Sequence, residues 1–153
     1  MNTTTARRDP FSFAFALVAA WTALGAVPGF FDPRASFVRF HGHLPESPLV
    51  LDLYRGAWGQ TLLFAIGYAF AARDPHRHAL ILLLGAIGKT LYAIRLLGPI
   101  TAGLATPLTV FAALGDAACV TVIVYWLVTR GALRSLVVRE EIVAAQRQRT
   151  GSS

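Results

Sequence analysis

The sequence has little charge and almost no cysteine. Only 14% of its 153 residues are Asp, Glu, Lys or Arg, whereas a soluble domain carries about 25%. The single cysteine, Cys119, cannot form an internal disulfide or a cysteine-based metal cluster. Because 55% of the residues are apolar and the mean hydropathy is +0.54, one water-soluble core of this size could not bury all the apolar surface. The composition therefore favours a membrane protein.

Motifs of the common enzyme classes are also missing. The sequence contains no Gly-x-Ser-x-Gly, His-Glu-x-x-His or Cys-x-x-Cys. Segment 85–90 ends in Gly-Lys-Thr, but Leu83 stands where a phosphate-binding loop requires glycine. These absences favour a protein without catalytic activity. A membrane enzyme acting on a lipid or quinone is the least supported interpretation of the sequence, and no cofactor is indicated.

Four apolar stretches are long enough to cross a bilayer as helices. They are 11–31, 48–72, 78–98 and 107–129, each close to the roughly 20 residues that a hydrocarbon core of about 30 Å requires. The sequence predicts an all-α fold, an antiparallel bundle of four transmembrane helices in one domain over 1–146. The first stretch is too long and too aromatic for a typical signal peptide, so we interpret it as an uncleaved span.

Pairs of a capping residue and a proline mark the expected helix starts. The cap side chain accepts a hydrogen bond from an unpaired N–H, and proline at the first helical position lacks that N–H. One pair predicts a short helix over Pro33–Phe40, whose Phe37 and Phe40 share a face and suggest a helix lying at the membrane interface. Pro28-Gly29 and Gly98-Pro99 are expected to end helices. The five starting pairs are Asp9-Pro10, Asp32-Pro33, Ser47-Pro48, Asp74-Pro75 and Thr106-Pro107.

The distribution of arginine predicts the orientation in the membrane. Segments outside the spans on one side carry nine arginines, and those on the other side carry only Arg34 and Arg39. The positive-inside rule therefore places both termini in the cytoplasm of a bacterial-type inner membrane. The fourth helix is expected to continue as an amphipathic cytoplasmic extension over 130–146, followed by a disordered tail over 147–153. The nine are Arg7, Arg8, Arg73, Arg77, Arg130, Arg134, Arg139, Arg147 and Arg149.

The basic character of the chain does not indicate nucleic-acid binding. The isoelectric point is about 10.4, but the basic residues cluster between apolar spans. A nucleic-acid interface would need a basic stripe with aromatic stacking platforms, and the sequence has none. The partner expected from composition is the lipid bilayer.

Ionisable side chains inside the spans are the strongest functional signal. Each costs roughly 2.5–3.5 kcal/mol at the bilayer centre, so it is retained where it is paired, hydrated or used. Lys89 lies nine residues before Gly98, and Asp116 lies nine residues after Pro107. Both are thus about 13 Å from the outer ends of neighbouring antiparallel helices, and we expect them to pair. We therefore predict a polar pocket in the outer half of the bundle. Its lining residues are Asp52, Tyr54, Arg55, Gln60, Lys89, Tyr92, Arg95 and Asp116.

Two interpretations of this polar set stay open. In the first, the charges pair between helices and fix their register, while Arg55 and Arg95 extend to the interface. In the second, surplus positive charge binds a small anionic or lipidic ligand, for sequestration, transport or regulation.

Two further hypotheses stand beside ligand binding. In the first, the chain is an accessory subunit of a larger membrane complex or forms a homo-oligomer, and its charges and small residues dock other helices. His41 and His43, with Glu46 nearby, are weak candidates for a metal site, because a closed site needs three or four ligands.

Overall fold

Five α-helices make up the described part of the chain. The computed structural model describes residues 11–130; the predicted extension beyond Arg130 and the tail lie outside these residues. The helices are α1 (Ser12–Phe31), α2 (Pro33–His41), α3 (Pro48–Ala71), α4 (Ala79–Thr101) and α5 (Pro107–Thr129). The prediction of an all-helical chain is confirmed for this part.

Three of the helices, α1, α4 and α5, are long and apolar enough to cross a membrane. Their outward surfaces expose large apolar side chains, such as Phe13 at 73%, Leu24 at 70% and Leu114 at 66%. Soluble monomers rarely expose contiguous apolar surface on this scale, so the fold indicates a membrane-embedded protein. The fourth long helix, α3, is not among the three, because Asp52 and Arg55 lower the hydropathy of its first half.

Capping residues start three helices, as predicted. The side chains of Asp32, Ser47 and Thr106 each accept a hydrogen bond from the backbone N–H three residues on, at 3.3, 3.4 and 3.3 Å. A proline follows each cap at the first helical turn. The bounds of α2, α3 and α5 therefore follow from local chemistry. The Asp9-Pro10 pair lies outside the described residues.

Other predicted boundaries are wrong. Asp74-Pro75 opens a turn, in which Asp74 accepts the N–H of Arg77 at 3.1 Å, and α4 begins only at Ala79. Pro28 and Pro99, expected to end helices, lie inside α1 and α4. Each sits in the last turn, where a missing N–H removes one hydrogen bond and the helix continues past it.

The long helices pack chiefly as two pairs, α1 with α3 and α4 with α5. In the first pair, the indole of Trp58 lies against Gly25 and Gly29, and the ring of Phe30 lies against Gly59. These glycines let the antiparallel backbones approach closely around large rings, as is typical of membrane helices. The most extensive contact between helices thus joins α1 to α3.

Aromatic side chains connect the two pairs. The indole of Trp21 on α1 lies against Gly115 of α5, and the hydroxyl group of Tyr68 on α3 lies against Gly85 of α4. A Cβ atom at either glycine would overlap the aromatic side chain. The pairs are therefore held at a separation that large side chains fill.

The short helix α2 packs across one end of the bundle, which we call the α2 end. Phe37 is 7% exposed, with its ring 5.2 Å from that of Tyr54, and the hydroxyls of Ser36 and Tyr54 lie 3.0 Å apart. Thr109 of α5 donates a hydrogen bond to the carbonyl of Phe40 at 2.7 Å. The helix is present where it was predicted, and its Phe37 side packs on Tyr54 of α3.

Candidate functional site

Lys89 and Asp116 meet in the interior of the bundle, as their equal depth predicted. The Nζ atom of Lys89 lies 2.5 Å from Oδ1 of Asp116, and the two residues are 9% and 8% exposed. The same oxygen accepts the indole N–H of Trp21 at 3.0 Å. One carboxylate therefore joins three helices, α1, α4 and α5.

Aromatic side chains surround this ion pair. Tyr68 and Tyr92 both lie close enough to Asp116 to interact with it electrostatically, and so does Cys119 one turn further along α5. The positive and negative charges of the pair cancel, and a low-dielectric interior strengthens their attraction. The pair is therefore a structural cross-link and leaves no net charge there for a ligand.

Sequence reasoning missed Trp21 as a member of this cluster. Trp21 lies ten residues before the end of α1 at Phe31, which places it about 15 Å from that end. The depth calculation that paired Lys89 with Asp116 would have found it, had it included aromatic side chains with a polar tip. Nothing comparable in the sequence indicates that α1 packs against α5.

Arg55 binds the carboxyl end of α1. Its Nε atom donates a hydrogen bond to the carbonyl oxygen of Phe30 at 3.0 Å, and its guanidinium carbon lies 5.9 Å from the centre of the Phe30 ring. Carbonyls in the last turn of a helix lack helical partners, and a cation there also complements the helix dipole. Arg55 therefore caps α1, although it remains exposed at the surface.

Tyr54 faces the α2 end of the bundle. Besides its hydrogen bond with Ser36, its ring packs edge-on against that of Trp58, at 5.9 Å between centroids. Tyr54 thus fixes α2 on α3.

Three further predicted pocket residues are exposed and without a side-chain partner. The side chains of Asp52, Gln60 and Arg95 make no hydrogen bond or ion pair within residues 11–130. The other five are the buried pair, the two residues that hold α1 and α2, and Tyr92, which lies close enough to both Asp116 and Tyr54 to interact with them electrostatically.

The contact between α3 and α4 is closed near their connecting turn. A Cβ atom at Gly67 would lie 2.8 Å from Cγ2 of Ile81. Residues seven apart occupy nearly the same face of a helix, so Gln60 and Gly88 continue these two facing surfaces toward the α2 end. A Cβ atom at Gly88 would have no neighbour within 4 Å. The surface of α4 is therefore open at Gly88, while Tyr92 further along α4 lies close enough to Tyr54 of α3 to interact with it electrostatically.

We call the open surface beside Gly88, on the side of α4 that is turned toward α3, the α3–α4 crevice. Tyr92 and Arg95 lie eleven and fourteen residues after Ile81, and both spacings return to the face of α4 that is turned toward α3. The crevice is thus defined by Gln60 on α3 and by Gly88, Tyr92 and Arg95 on α4. Within residues 11–130, the Arg95 guanidinium has no carboxylate at ion-pair distance.

The two histidines of α2 and its following turn both pack against Phe37. The rings of His41 and His43 lie 4.3 and 5.6 Å from that of Phe37 and 6.1 Å from each other. Nδ1 of His43 also lies 2.8 Å from the carbonyl oxygen of Leu44. Burial, and the nearby His43, lower the pKa of His41 below its usual 6.5. Across residues 11–130, no group of three His, Cys, Asp or Glu side chains is placed to hold a metal ion.

No family model, no curated protein and no solved structure matches the chain. Function must follow from the side chains themselves. These offer an uncompensated guanidinium, an amide and a phenol at the α3–α4 crevice, which are groups that bind anions and polar headgroups.

Proposed function

We propose that this protein is a four-span membrane protein that binds a small anionic or lipidic ligand in the α3–α4 crevice, without catalysis. The observation that carries the proposal is the open space at Gly88, seven residues along α4 from Ile81, which meets Gly67 of α3. Arg95 supplies positive charge beside that space. Lys89 and Asp116, both expected to line the pocket, are buried and paired with each other.

The proposal includes α3 as the fourth span. It has 24 residues, or about 36 Å of helix at 1.5 Å per residue, and it packs antiparallel to α1, which is apolar enough to cross. In this arrangement α2 lies at the outer interface, both termini are cytoplasmic, and the membrane is a bacterial-type inner membrane.

The chemistry of the crevice suits an anionic headgroup. Arg95 lies six residues before the end of α4 at Thr101, about 9 Å along the helix, which is close to the depth of phosphate and glycerol groups. A guanidinium binds phosphate or carboxylate through two parallel hydrogen bonds, while Gln60 and Tyr92 offer further donors. Exposed Leu53 and Leu91 provide apolar surface for an acyl chain.

Native mass spectrometry of the protein in mild detergent tests this function. We expect phosphatidylglycerol to stay bound in preference to phosphatidylcholine, and Arg95→Gln to abolish that preference. Gly88→Leu would place a side chain in the crevice with no clash at its Cβ atom, which has no neighbour within 4 Å, and should also remove the lipid. Gly56→Leu is the comparison variant, because Gly56 is equally open but lies on α3, one turn before Gln60, and leaves the α4 side of the crevice unfilled.

The outcomes of this experiment separate the sources of the anion. Retention of inorganic phosphate but not of phosphatidylglycerol would assign the site to a soluble anion. Equal binding of both lipids by the parent protein and by Arg95→Gln would refute the crevice as a binding site.

A second candidate function is supported by a different observation. Asp52 is exposed on α3 and has no hydrogen bond or ion pair in the described part of the chain. Asp52 lies four residues, or about 6 Å, from the start of α3 at Pro48, at headgroup level, where a cation of a neighbouring helix can pair with it. This favours docking of another helix there, as in an accessory subunit or an oligomer.

A further inference from the structure

The outward face of α3 has the spacing of a helix-pairing seam. Its residues follow one another at intervals of four and three, which is the 3.5-residue period of helices that pack side by side. Leu63, Ile66 and Phe70 of this face are 68%, 50% and 48% exposed. A Cβ atom at Gly56 would meet nothing within 4 Å. We call this face the α3 seam: Asp52, Gly56, Gly59, Leu63, Ile66 and Phe70.

We propose that the α3 seam binds the same seam of a second copy of this chain, forming a parallel two-fold dimer. The inference rests on the second candidate function and is independent of the crevice. Copies of one chain insert with the same orientation, so a two-fold axis along the membrane normal brings identical residues to the same depth. Such an interface is self-complementary, because each residue contacts the equivalent surface of its partner.

Charge complementarity selects a second copy as the occupant. Asp52 and Arg55 lie three residues apart and within one helical turn. A parallel two-fold pair gathers two such carboxylates and two guanidiniums at one level, and their charges sum to zero. Only the Nε atom of Arg55 is engaged, by Phe30, so its terminal nitrogens are available to the partner's Asp52. The carboxylate that has no partner in one chain thereby acquires one.

Gly56 allows the close approach that this pairing needs. It follows Asp52 on the same face and has open space beside it, and small residues let membrane helices come into backbone contact. Gly59, at the edge of the seam, is covered by the ring of Phe30. Leu63, Ile66 and Phe70 then continue the contact as apolar knobs. The seam is therefore polar and close near the α2 end, and apolar toward the other end.

Helix α5 provides a matched control surface. It does not touch α3 within residues 11–130, so its outward face lies on the opposite side of the bundle. Leu114 on that face is 66% exposed, much like Leu63 on the seam. The outward surface of α5 carries no charged residue to pair, because its one ionisable carboxylate, Asp116, is buried.

Cysteine cross-linking in native membranes tests the dimer. In a Cys119→Ala background, we expect Leu63→Cys and Ile66→Cys to form disulfide-linked dimers on oxidation, because equivalent Cα atoms in a parallel pair lie within the roughly 7 Å limit for a disulfide. Leu114→Cys should remain monomeric. Equal cross-linking at Leu114 would mean random collision and would overturn the proposal.

Two substitutions test whether dimerisation depends on the α3 seam. Gly56→Leu occupies open space in the single chain but blocks close approach, and Asp52→Lys places four positive charges at one level. We expect each to weaken dimerisation at least about tenfold, an easily resolved shift in the monomer–dimer equilibrium, while lipid retention that depends on Arg95 is unchanged. Dimers that survive both substitutions would refute the seam.

The same cross-linking experiment distinguishes failure of the dimer from failure of the docking function on which it rests. A one-to-one complex with a different membrane protein, cross-linked through Leu63→Cys, would overturn self-association but retain the docking function. A protein that stays monomeric and unlinked at every seam position would overturn both.

Discussion

Lys89 on α4 and Asp116 on α5 form a buried ion pair, with 2.5 Å between Nζ and Oδ1. A charge in the interior of a membrane bundle has no water to stabilise it, so each residue depends on the other. The indole N–H of Trp21 reaches the same oxygen and ties α1 to the pair. The stability of three helices is thereby linked to one carboxylate.

The first prediction concerns the separation of this pair. Lys89→Met and Asp116→Asn should each destabilise the bundle by about 3–5 kcal/mol, because each leaves an unpaired buried charge. The double variant should lose less than either single variant, since it is neutral and Asn can still accept the Trp21 hydrogen bond. Unfolding in mixed micelles with increasing SDS measures all three. Losses that simply add would show that the two side chains are not coupled.

A second prediction compares two glycines one turn apart on α4. At Gly85 a Cβ atom would overlap the hydroxyl of Tyr68, whereas at Gly88 it would meet nothing within 4 Å. Gly85→Ala should therefore cost about 1–3 kcal/mol through displacement of packed groups. Gly88→Ala should be neutral or stabilising by up to about 1 kcal/mol, because alanine favours the helix.

Removal of the Tyr68 hydroxyl supplies the control for this comparison. Tyr68→Phe removes the hydroxyl but leaves the ring carbons Cζ and Cε1, which would lie 2.6 and 2.7 Å from the new Cβ atom. Gly85→Ala should therefore cost less in the Tyr68→Phe background than in the parent, without becoming neutral. The same SDS unfolding measurement applies. An equal cost in both backgrounds would mean that the hydroxyl is not the group that the alanine displaces.

The sequence was sufficient for the helices and for the central ion pair. Long apolar stretches and cap-proline pairs are local signals, and they located α3 and α5 almost to the residue. The depth calculation worked for Lys89 and Asp116 because a short loop makes α4 and α5 neighbours. Both successes depend on residues close in sequence or on a connection too short to allow an alternative.

The rest of the site depended on which non-adjacent helices pack together. The extensive α1–α3 contact brings Arg55 to the carbonyl of Phe30. Tyr54 instead hydrogen-bonds with Ser36 of α2. A helical period identifies the shared face of Arg55 and Asp52 but not the neighbour that covers it. For this reason the sequence could group the eight polar residues by their depth, but it could not show which of them contact one another.

The third prediction is a pH dependence from His41. Burial and the nearby His43 lower the pKa of His41 from 6.5, so the unfolded chain takes up its proton at a higher pH than the folded chain. Stability should therefore decrease as the pH falls below about 6.5, and stop decreasing below the folded pKa. Thermal unfolding in detergent between about pH 5 and pH 8 measures this, and His41→Gln should reduce the slope.

An NMR titration of the imidazole C–H signals tests the cause directly. His43→Gln removes the neighbouring cation and should raise the pKa of His41 part of the way back toward 6.5, since burial persists. A parent His41 that titrates at or above 6.5 would contradict the prediction.

The fourth prediction is that α3 crosses the membrane. In a Cys119→Ala background, cysteines are placed at Leu44 and Leu104, which are 57% and 75% exposed, and at Arg77, which is also exposed. If α3 spans, Leu44 and Leu104 lie outside and react with a membrane-impermeant maleimide on intact cells, while Arg77 reacts only after permeabilisation. If α3 does not span, Leu44 and Arg77 label from one side and Leu104 from the other. Ser36 is unsuitable as a reporter, because it is 2% exposed and its hydroxyl is hydrogen-bonded with that of Tyr54.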